Sequence, residues 1–313
     1  MKRYLGIDLG GTNIAVGLVA EDGTLLHKDS VPTRSQNGYK TLIADMASLC
    51  EKIIVDSGTD RNNITAVGVG CPGLCDVENG VLVFANNLGL RHAPIRDDLQ
   101  AALGIPVYIG NDANCAALGE SIAGAAKGSD SSITVTLGTG VGGGIIIDQK
   151  IVTGAYGGGG EVGHIPICFD GEACSCGNIG CWEAYASATA LIRQAKNAAT
   201  ANSSSRLAAA SGNITGKAVF DAAAAGDETA QTVIQSYLRY VAIGLASLIN
   251  TLQPETIVLG GGICAQGDAI LAPITKMVEE MVLGGVLQSK IVIAILGNDA
   301  GIIGAAMLGI GVE

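Results

Sequence analysis

The sequence predicts an α/β protein made of two similar halves. The composition is rich in small and aliphatic residues, with 46 glycines among 313 residues and few aromatic side chains, which is typical of α/β enzymes with many tight turns. A strand, a glycine turn and a second strand also follow one another twice, first from residue 4 and again from residue 133. The length is sufficient for two domains, each with its own hydrophobic core.

The first half opens with a predicted strand at residues 4–9, a turn at 10–13 and two further strands, which together form a β-meander. Apolar periodicity and turn residues define the elements that follow. These are a helix at 39–57, a strand at 64–70, a helix at 95–103, a strand at 105–110 and a helix that begins after Asp112.

The second half repeats the opening hairpin, with strands at 133–137 and 144–148. Its later predicted elements are a helix after Trp182, a helix from Lys217, a helix at 228–252, a strand at 256–260, a helix at 268–283, a strand at 291–296 and a helix at 301–309. The Ser- and Ala-rich stretch 200–216 is predicted to be a mobile surface loop. From the repeated hairpin we infer the duplicated plan of the two-domain actin-like (ribonuclease H-like) ATPases.

Charge and hydropathy exclude several classes of function. The net charge of −11 argues against a surface that binds nucleic acid. The apolar run at 240–252 is too short to span a bilayer, so no membrane partner is expected. Lys2 and Arg3 lead straight into a segment with glycine and aspartate rather than into the apolar region of a secretory signal, and a cytoplasmic location is therefore expected.

Four metal-ligand residues stand close together in the segment 161–183. His164, Cys174, Cys176 and Cys181 supply one imidazole and three thiols, a tetrahedral set typical of structural Zn²⁺. Disulfides are the alternative, but the expected reducing compartment favours metal binding. The other cysteines have apolar neighbours and are predicted to be buried: Cys50, Cys71, Cys75, Cys115, Cys168 and Cys264.

Three glycine clusters follow predicted strands, at residues 10–13, 138–143 and 260–262. The second cluster fits G-x-G-x-x-G, but a strand follows it where a dinucleotide fingerprint requires a helix. We therefore interpret the first two clusters as turns whose backbone N–H groups face phosphate, with hydroxyls from Thr12 and Thr139. Asp8 would act there through Mg²⁺, and the third cluster would pack against adenosine.

Asp112 has two possible roles, and the residues alone leave them nearly even. It follows a strand and starts a helix, which is the position of an N-cap. A carboxylate there is equally suited to be the general base that deprotonates a hydroxyl attacking a γ-phosphate. Asn111 beside it could donate to a sugar hydroxyl.

These pieces, together with the motifs at 71–73, 111–114, 161–164, 174–183 and 297–301, resemble the ROK family (repressors, open reading frames, kinases) along the whole chain, and most closely its bacterial glucokinases. The cysteine block is the most specific of these motifs. The resemblance implies a small domain at residues 1–112 to which a C-terminal helix at about 298–313 returns, and a large domain at 113–297. It also implies ATP-dependent phosphorylation of a hexose 6-hydroxyl and a homodimer.

The resemblance also implies roles for individual residues. Asp112 resembles the family's catalytic base. The implied sugar-binding set is Gly73, Asn87, Asn111, Asp112, Glu161, His164 and Glu183. The implied ATP-binding set is Asp8, Gly10, Gly11, Thr12, Asn13, Thr139, Gly140, Gly261 and Gly262. His164 would serve twice, with one ring nitrogen on zinc and the other toward the sugar.

One position departs from the family pattern. Leu90 stands where many glucokinases of this family carry tryptophan, which leaves the sugar open among glucose, mannose, allose, fructose and N-acetylhexosamines. Polyphosphate is an alternative phosphate donor. A sugar-responsive repressor is disfavoured because Asp8 leaves no space before it for a helix-turn-helix domain, and a non-catalytic sugar sensor is a further alternative.

Overall fold

Strands and helices alternate along the chain in the computed structural model, which describes residues 2–209 and 212–310. The described strands are β1 (Arg3–Leu9), β2 (Asn13–Ala20), β3 (Leu25–Pro32), β4 (Ile64–Cys71), β5 (Leu74–Asp76), β6 (Val81–Ala85), β7 (Leu90–Ala93), β8 (Val107–Asn111), β9 (Ser132–Leu137), β10 (Val141–Ile147), β11 (Lys150–Ile151), β12 (Thr256–Gly260) and β13 (Lys290–Ile293).

The described helices are α1 (Tyr39–Asp56), α2 (Ile95–Leu103), α3 (Asp112–Ile122), α4 (Glu183–Ala186), α5 (Ala188–Ala201), α6 (Arg206–Ala209), α7 (Gly216–Ala224), α8 (Glu228–Leu252), α9 (Asp268–Met281) and α10 (Asp299–Met307). Short 3₁₀ turns lie between them.

Two five-stranded sheets have the same strand plan. The first has the order β3-β2-β1-β4-β8, with β1, β2 and β3 antiparallel and β4 and β8 added in parallel. The second has the order β11-β10-β9-β12-β13, so a hairpin series again precedes two later strands. The predicted α/β fold with duplicated halves is therefore confirmed.

The chain divides into two compact units. Unit 1 comprises residues 1–134, 144–160 and 295–313, and unit 2 comprises 135–143 and 161–294. Strands β9 and β10 each begin in one unit and end in the other. The segment 295–313 belongs to unit 1, as does α3. The domain boundaries inferred from the family resemblance, at residues 112 and 297, stay predictions.

Helix α10 lies directly on the backbone of its neighbours in unit 1. A β-carbon on Gly6 of β1 would stand 1.9 Å from the carbonyl oxygen of Ile302, and one on Gly68 of β4 would stand 1.7 Å from that of Ala305. On the helix itself, a β-carbon on Gly304 would stand 1.7 Å from the carbonyl oxygen of Cys115 in α3. Glycine at these positions permits a close approach that fixes α10 against β1, β4 and α3.

The predicted surface loop at 200–216 is wrong for much of its length. Helix α5 continues to Ala201 and α6 covers Arg206–Ala209. Leu207 is buried, and the hydroxyl of Ser205 donates a hydrogen bond of 2.8 Å to the carboxylate of Asp227, the N-cap of α8. A contact from a distant element therefore orders this stretch. Residues 210 and 211 lie outside the described part of the chain.

Helix α8 covers Glu228–Leu252, as predicted, and contains the apolar run at 240–252. Its length and composition alone would allow it to cross a membrane, and it is the single such helix in the described residues. Of the most apolar 18-residue window of α8, 56% is buried inside the structure. The core helix of a globular protein has the same properties, and α8 packs in this way against α5, α7 and α9.

Candidate active site

The predicted site residues fall into two sets, one in each unit. The first half-site, in unit 1, contains Asp8, Gly10–Asn13, Gly73, Asn87, Asn111 and Asp112. The second half-site, in unit 2, contains Thr139, Gly140, Glu161, His164, Glu183, Gly261 and Gly262, together with the three cysteines at 174–181.

Asp112 is the first residue of α3, and the helix cap is its neighbour. The side-chain oxygen of Asn111 accepts a hydrogen bond of 3.1 Å from the backbone N–H of Asn114, which makes Asn111 the N-cap. The carboxylate of Asp112 accepts from the N–H of Ala113 at 2.8 Å, in the first turn, where the helix dipole favours negative charge. The N-cap interpretation of Asp112 is therefore wrong, and the cap role belongs to Asn111.

Asn111 also holds the turn that carries Gly73. Its side-chain N–H₂ donates a hydrogen bond of 3.0 Å to the carbonyl oxygen of Gly73. Gly73 has φ 89°, and a β-carbon there would stand 2.2 Å from the carbonyl oxygen of Phe84, so only glycine fits. Both atoms of the Asn111 amide are thus engaged in positioning the backbone around Asp112.

Asp8 and Asp112 form a pair of neighbouring carboxylates. Asp8 lies near the end of β1 and Asp112 directly follows β8, and β4 separates the two strands. At this level β4 carries Gly70, where a β-carbon would stand only 3.6 Å from the Cα of Asp112. Burial, with the negative charge of Asp112 as a second cause, raises the pKa of Asp8 to about 6. Two hard oxygen donors that repel each other are suited to a divalent cation such as Mg²⁺.

The turn at 10–13 is closed and anchored by backbone and side-chain contacts. The N–H of Gly10 donates to the carbonyl oxygen of Asn13 at 3.0 Å, and the hydroxyl of Thr33 donates to the carbonyl oxygen of Gly10 at 2.7 Å. A β-carbon on Gly11 would stand 3.1 Å from the amide nitrogen of Asn87, so the predicted phosphate turn and the predicted sugar residue adjoin. Thr33 lies outside every motif recognised in the sequence, so the sequence alone does not identify it.

Asn87 is positioned by a three-stranded sheet that is not among the predicted elements. Strands β5, β6 and β7 are each short, and Asn87 lies in the 3₁₀ turn between β6 and β7. Leu90 begins β7 opposite Ala85 and packs against the core of unit 1. The residue that departs from the family pattern is therefore a partly buried packing residue.

In unit 2, a glycine turn is tied to Glu183. This turn covers only residues 138–140, because β10 begins at Val141, so the predicted turn at 138–143 is too long and the strand predicted from 144 begins earlier. The carboxylate of Glu183 accepts a hydrogen bond of 3.0 Å from the N–H of Val141, and its Oε2 would stand 2.2 Å from a β-carbon on Gly140. The hydroxyl of Thr189 donates to the carbonyl oxygen of Thr139 at 2.8 Å. A cavity of about 400 Å³ lies beside this turn, lined by Thr139, Gly140, Cys174, Ser175, Glu183, Thr189 and Arg193 among others.

The third glycine cluster turns sharply beside the second. Gly261 has φ 91°, and a β-carbon there would stand 2.4 Å from the carbonyl oxygen of Leu137, at the end of β9. Gly262 begins a 3₁₀ turn and has no atom within 4 Å of its potential β-carbon. A side chain is therefore excluded at Gly261, and open space adjoins Gly262.

The four predicted metal ligands converge on one point of unit 2. The ligand atoms of His164, Cys174, Cys176 and Cys181 all lie within 4.8 Å of one another. The Sγ atoms of Cys176 and Cys181 are 3.7 Å apart, and the Sγ of Cys174 lies 3.7 Å from Nδ1 of His164. Tetrahedral Zn²⁺ with ordinary bond lengths requires about 3.8 Å between sulfurs and about 3.6 Å between sulfur and nitrogen. The donor set therefore fits zinc, whereas the sulfur separation is too long for a disulfide.

Tight turns shape the segment that carries the thiols. The N–H of Cys174 donates to the carbonyl oxygen of Asn178 at 2.8 Å, and the N–H of Gly177 donates back to that of Cys174 at 3.0 Å. A hydrogen bond from the backbone of Asn178 lowers the pKa of the Cys176 thiol, which favours the thiolate that binds metal.

Cys168, in the same segment, is exposed and outside the cluster, so its predicted burial is wrong. The other five non-ligand cysteines are buried as predicted.

His164 presents its second nitrogen away from the thiols. Nδ1 faces Cys174, while Nε2 lies 3.9 Å from a carboxylate oxygen of Glu161. The side chain of Glu161 is 59% exposed, so this carboxylate is open to a ligand. With Nδ1 on a metal, Nε2 would carry the proton and act as a donor.

Trp182 joins the cysteine segment to the core of unit 2. Its side chain is fully buried, its ring occupies the space left by Gly244 of α8, and its Nε1–H donates to the carbonyl oxygen of Tyr240 at 2.8 Å. Its neighbours in sequence are Cys181 and Glu183. Packing of this ring therefore fixes the backbone from which a thiol and a carboxylate project.

Comparison with known proteins identifies the family. Residues 4–311 match the ROK family. The chain belongs to the ROK family. A glucokinase from Halalkalibacterium halodurans is 38% identical over 312 residues, which cover 98% of this chain and 94% of that protein.

Solved structures of ROK proteins share the fold. The ROK hexokinase from Thermus thermophilus superposes with a TM-score of 0.86 and 35% identity, covering 98% of this chain and 97% of that one. A ROK family glucokinase from Streptomyces griseus, solved with glucose and AMPPNP, gives 0.80 and 37% identity with 98% of both chains covered. The ROK chain described here therefore has the two-domain actin-like ATPase fold, as predicted.

Proposed function

We propose that this chain transfers the γ-phosphoryl group of ATP to the 6-hydroxyl of a hexose, with glucose as the first candidate. One observation carries the proposal: a glucokinase is 38% identical to this chain over 98% of its length. The geometry of each half-site supports a separate part of the reaction.

Asp112 would be the general base. The sugar hydroxyl must lose its proton as it attacks phosphorus, and a fixed carboxylate can accept that proton. The contact with the N–H of Ala113 and the cap made by Asn111 hold the Asp112 carboxylate at the start of α3. The negative charges of the Asp8 and Asp112 carboxylates repel each other. A proton that Asp112 accepts from the sugar hydroxyl would remove this repulsion.

The nucleotide phosphates would be bound by backbone N–H groups and not by a cationic surface, because the net charge is −11. The turns at 10–13 and 138–140 would supply those groups, with hydroxyls from Thr12 and Thr139. Gly261 and Gly262 would leave space for adenosine. Asp8 would hold Mg²⁺, which offsets phosphate charge when bound.

The sugar would be bound by Gly73, Asn87, Asn111, Asp112, Glu161, His164 and Glu183. Zn²⁺ on His164, Cys174, Cys176 and Cys181 would be structural, since all four ligand positions come from the protein. Its role would be to fix the ring of His164, so that Nε2–H points steadily toward a sugar oxygen. The pair formed by Nε2 and Glu161 would then recognise adjacent hydroxyls.

The first experiment measures ADP release with Mg-ATP across glucose, mannose, allose, fructose, N-acetylglucosamine and N-acetylmannosamine. Preferred turnover of glucose supports the proposal, and preference for another sugar makes the protein a kinase of that sugar. No turnover of any sugar by folded, zinc-loaded protein refutes the kinase assignment and favours a sugar sensor. Polyphosphate in place of ATP tests the phosphate donor.

A homodimer is part of the proposal, and so is action in the cytoplasm without nucleic acid or membrane partners. Light scattering coupled to size exclusion tests the dimer directly. A mass equal to one chain of 31.4 kDa would contradict it.

A further inference from the structure

Gly301 lies in the first turn of α10 and faces the carboxylate of Asp8. A β-carbon at 301 would stand 3.2 Å from Cγ and from Oδ2 of Asp8 and 3.6 Å from Oδ1, and these are its three nearest atoms. The two distances of 3.2 Å are shorter than ordinary contacts of a methyl group, whereas 3.6 Å is an ordinary contact. Gly301 lies inside a regular helix and does not have a positive φ, so the backbone does not require glycine there.

Close backbone contacts tie α10 to β1, β4 and α3. The carbonyl oxygens of Ile302 and Ala305 occupy the space left by Gly6 and Gly68, and Gly304 lies against the backbone of α3. These contacts are between backbone atoms, which cannot rotate away as a flexible side chain can. A shift of α10 away from β1 would separate these closely packed backbone atoms, whereas the carboxylate of Asp8 is the end of a side chain that can move by a few tenths of an ångström.

We propose that Gly301 is a positioning residue, which determines where the carboxylate of Asp8 stands by leaving space for it. The expected effect on Mg-nucleotide binding rests on the proposed function, whereas the contact between Gly301 and Asp8 does not. The motif at 297–301 thereby acquires a role: it brings the start of α10 to the carboxylate predicted to serve the phosphates. Alanine is the better helix former, so glycine at this position lowers the stability of α10 and is not explained by helix formation.

The test compares Gly301→Ala with Gly158→Ala. Both changes add one methyl group in unit 1, but at Gly158 the nearest atom is Cδ1 of Leu74 at an ordinary 3.8 Å. We expect kcat/KM for Mg-ATP to fall roughly 10- to 100-fold in Gly301→Ala, as for small misplacements of a catalytic group. In Gly301→Ala, the KM for sugar should not rise and the melting temperature should not fall. Gly158→Ala should match the wild type in all three quantities.

Two readouts separate positioning from a general structural defect. In a crystal structure of Gly301→Ala, the carboxylate of Asp8 should move while the backbone of α10 stays in place. A double-mutant cycle combines Gly301→Ala with Asp8→Ala and measures the Kd of Mg-AMPPNP for each variant. In the Asp8→Ala background, Gly301→Ala should not change this Kd, because the carboxylate that the methyl group displaces is absent.

Opposite results would overturn the inference. A shifted helix with an unmoved Asp8, or an equal loss of affinity with and without the Asp8 carboxylate, would make Gly301 a packing residue. Failure of the proposed function has a different signature: the wild type itself would neither bind Mg-AMPPNP nor release ADP. The crystal structure decides the positioning role in that case as well.

Discussion

The carboxylate of Glu183 accepts a hydrogen bond from the backbone N–H of Val141 at 3.0 Å. It thereby links the segment that carries the proposed zinc ligands to the turn proposed to bind phosphate. One side chain would therefore serve both the proposed sugar site and the proposed phosphate turn.

Glu183→Ala should impair the use of both substrates, because the turn at 138–140 loses its anchor as the sugar loses a partner. Loss of a charged hydrogen bond of this kind corresponds to roughly a 10- to 100-fold change. Steady-state kinetics with each substrate varied would show a higher KM for ATP as well as for sugar. The matched control is Glu161→Ala, which removes an exposed carboxylate and should raise the KM for sugar alone. An unchanged KM for ATP in Glu183→Ala would contradict the anchoring role.

Asp112→Asn should keep both substrates bound and lose turnover. The amide has the same shape as the carboxylate but accepts no proton, so kcat should fall by roughly 10²–10⁴. Calorimetry would measure sugar binding, and ADP release would measure kcat. The control is Asp97→Asn, an exposed carboxylate in the first turn of α2, which should have wild-type activity. A kcat near the wild-type value in Asp112→Asn would remove Asp112 from the chemistry.

Cys176→Ser should lose zinc and loosen the segment 161–183. Three ligands remain, but the thiolate favoured by the backbone of Asn178 is gone. Metal analysis should show less than one zinc per chain, and the KM for sugar should rise. Cys168→Ser provides the control, since Cys168 is exposed in the same segment but outside the cluster. Equal zinc content in both variants would show that Cys176 is not a ligand.

Asp8→Asn should stabilise the fold at neutral pH. The pKa of Asp8 is raised from 3.8 to about 6 in the folded protein, so the folded state holds the proton more tightly than the unfolded state. Stability therefore falls as pH rises from about 4 to 6, and a penalty of roughly 3 kcal/mol persists above that range. Urea unfolding at several pH values should show the gain of Asp8→Asn at pH 7 and its loss below pH 4.

Asp22→Asn supplies a control of opposite sign. The N–H of Thr24 lowers the pKa of the exposed Asp22, so its ionised form adds stability above the ordinary pKa and loses it as pH falls through the folded value. Asp22→Asn should therefore be slightly destabilised at neutral pH and unaffected in strong acid. If Asp8→Asn behaves in the same way, the burial and repulsion assigned to Asp8 are wrong.

Glu120→Ala should destabilise unit 1. The buried carboxylate of Glu120 accepts hydrogen bonds from the N–H groups of Ala125 at 2.8 Å and of Leu296 at 3.0 Å, where the chain returns toward α10. Its removal takes the carboxylate acceptor from these two partly buried N–H groups, at a cost of about 3 kcal/mol in the free energy of unfolding. Chemical denaturation would measure the loss. Glu78→Ala, an exposed change in the same unit, should leave stability within the usual range for surface positions.

Local patterns in the sequence were sufficient for much of the site. The four predicted metal ligands are close in sequence, so their spacing alone singles them out, and the glycine turns follow strands that apolar periodicity predicts. The contact of Asn87 with Gly11 and that of Gly301 with Asp8 depend on how strands and helices are placed against one another, which no local pattern contains. The helix α6 was missed for the same reason, because its order comes from Asp227, far along the chain.

Trp182 is the only tryptophan in the chain, and it stands between Cys181, a proposed zinc ligand, and Glu183, with its ring buried against α8. The intrinsic fluorescence of the protein under tryptophan-selective excitation therefore originates from a single indole beside the proposed sugar site. Loss of the metal should expose this ring and shift its emission to the red, whereas sugar binding should change its intensity. The chain thus contains a built-in optical probe with which ligand titrations can be followed without any label.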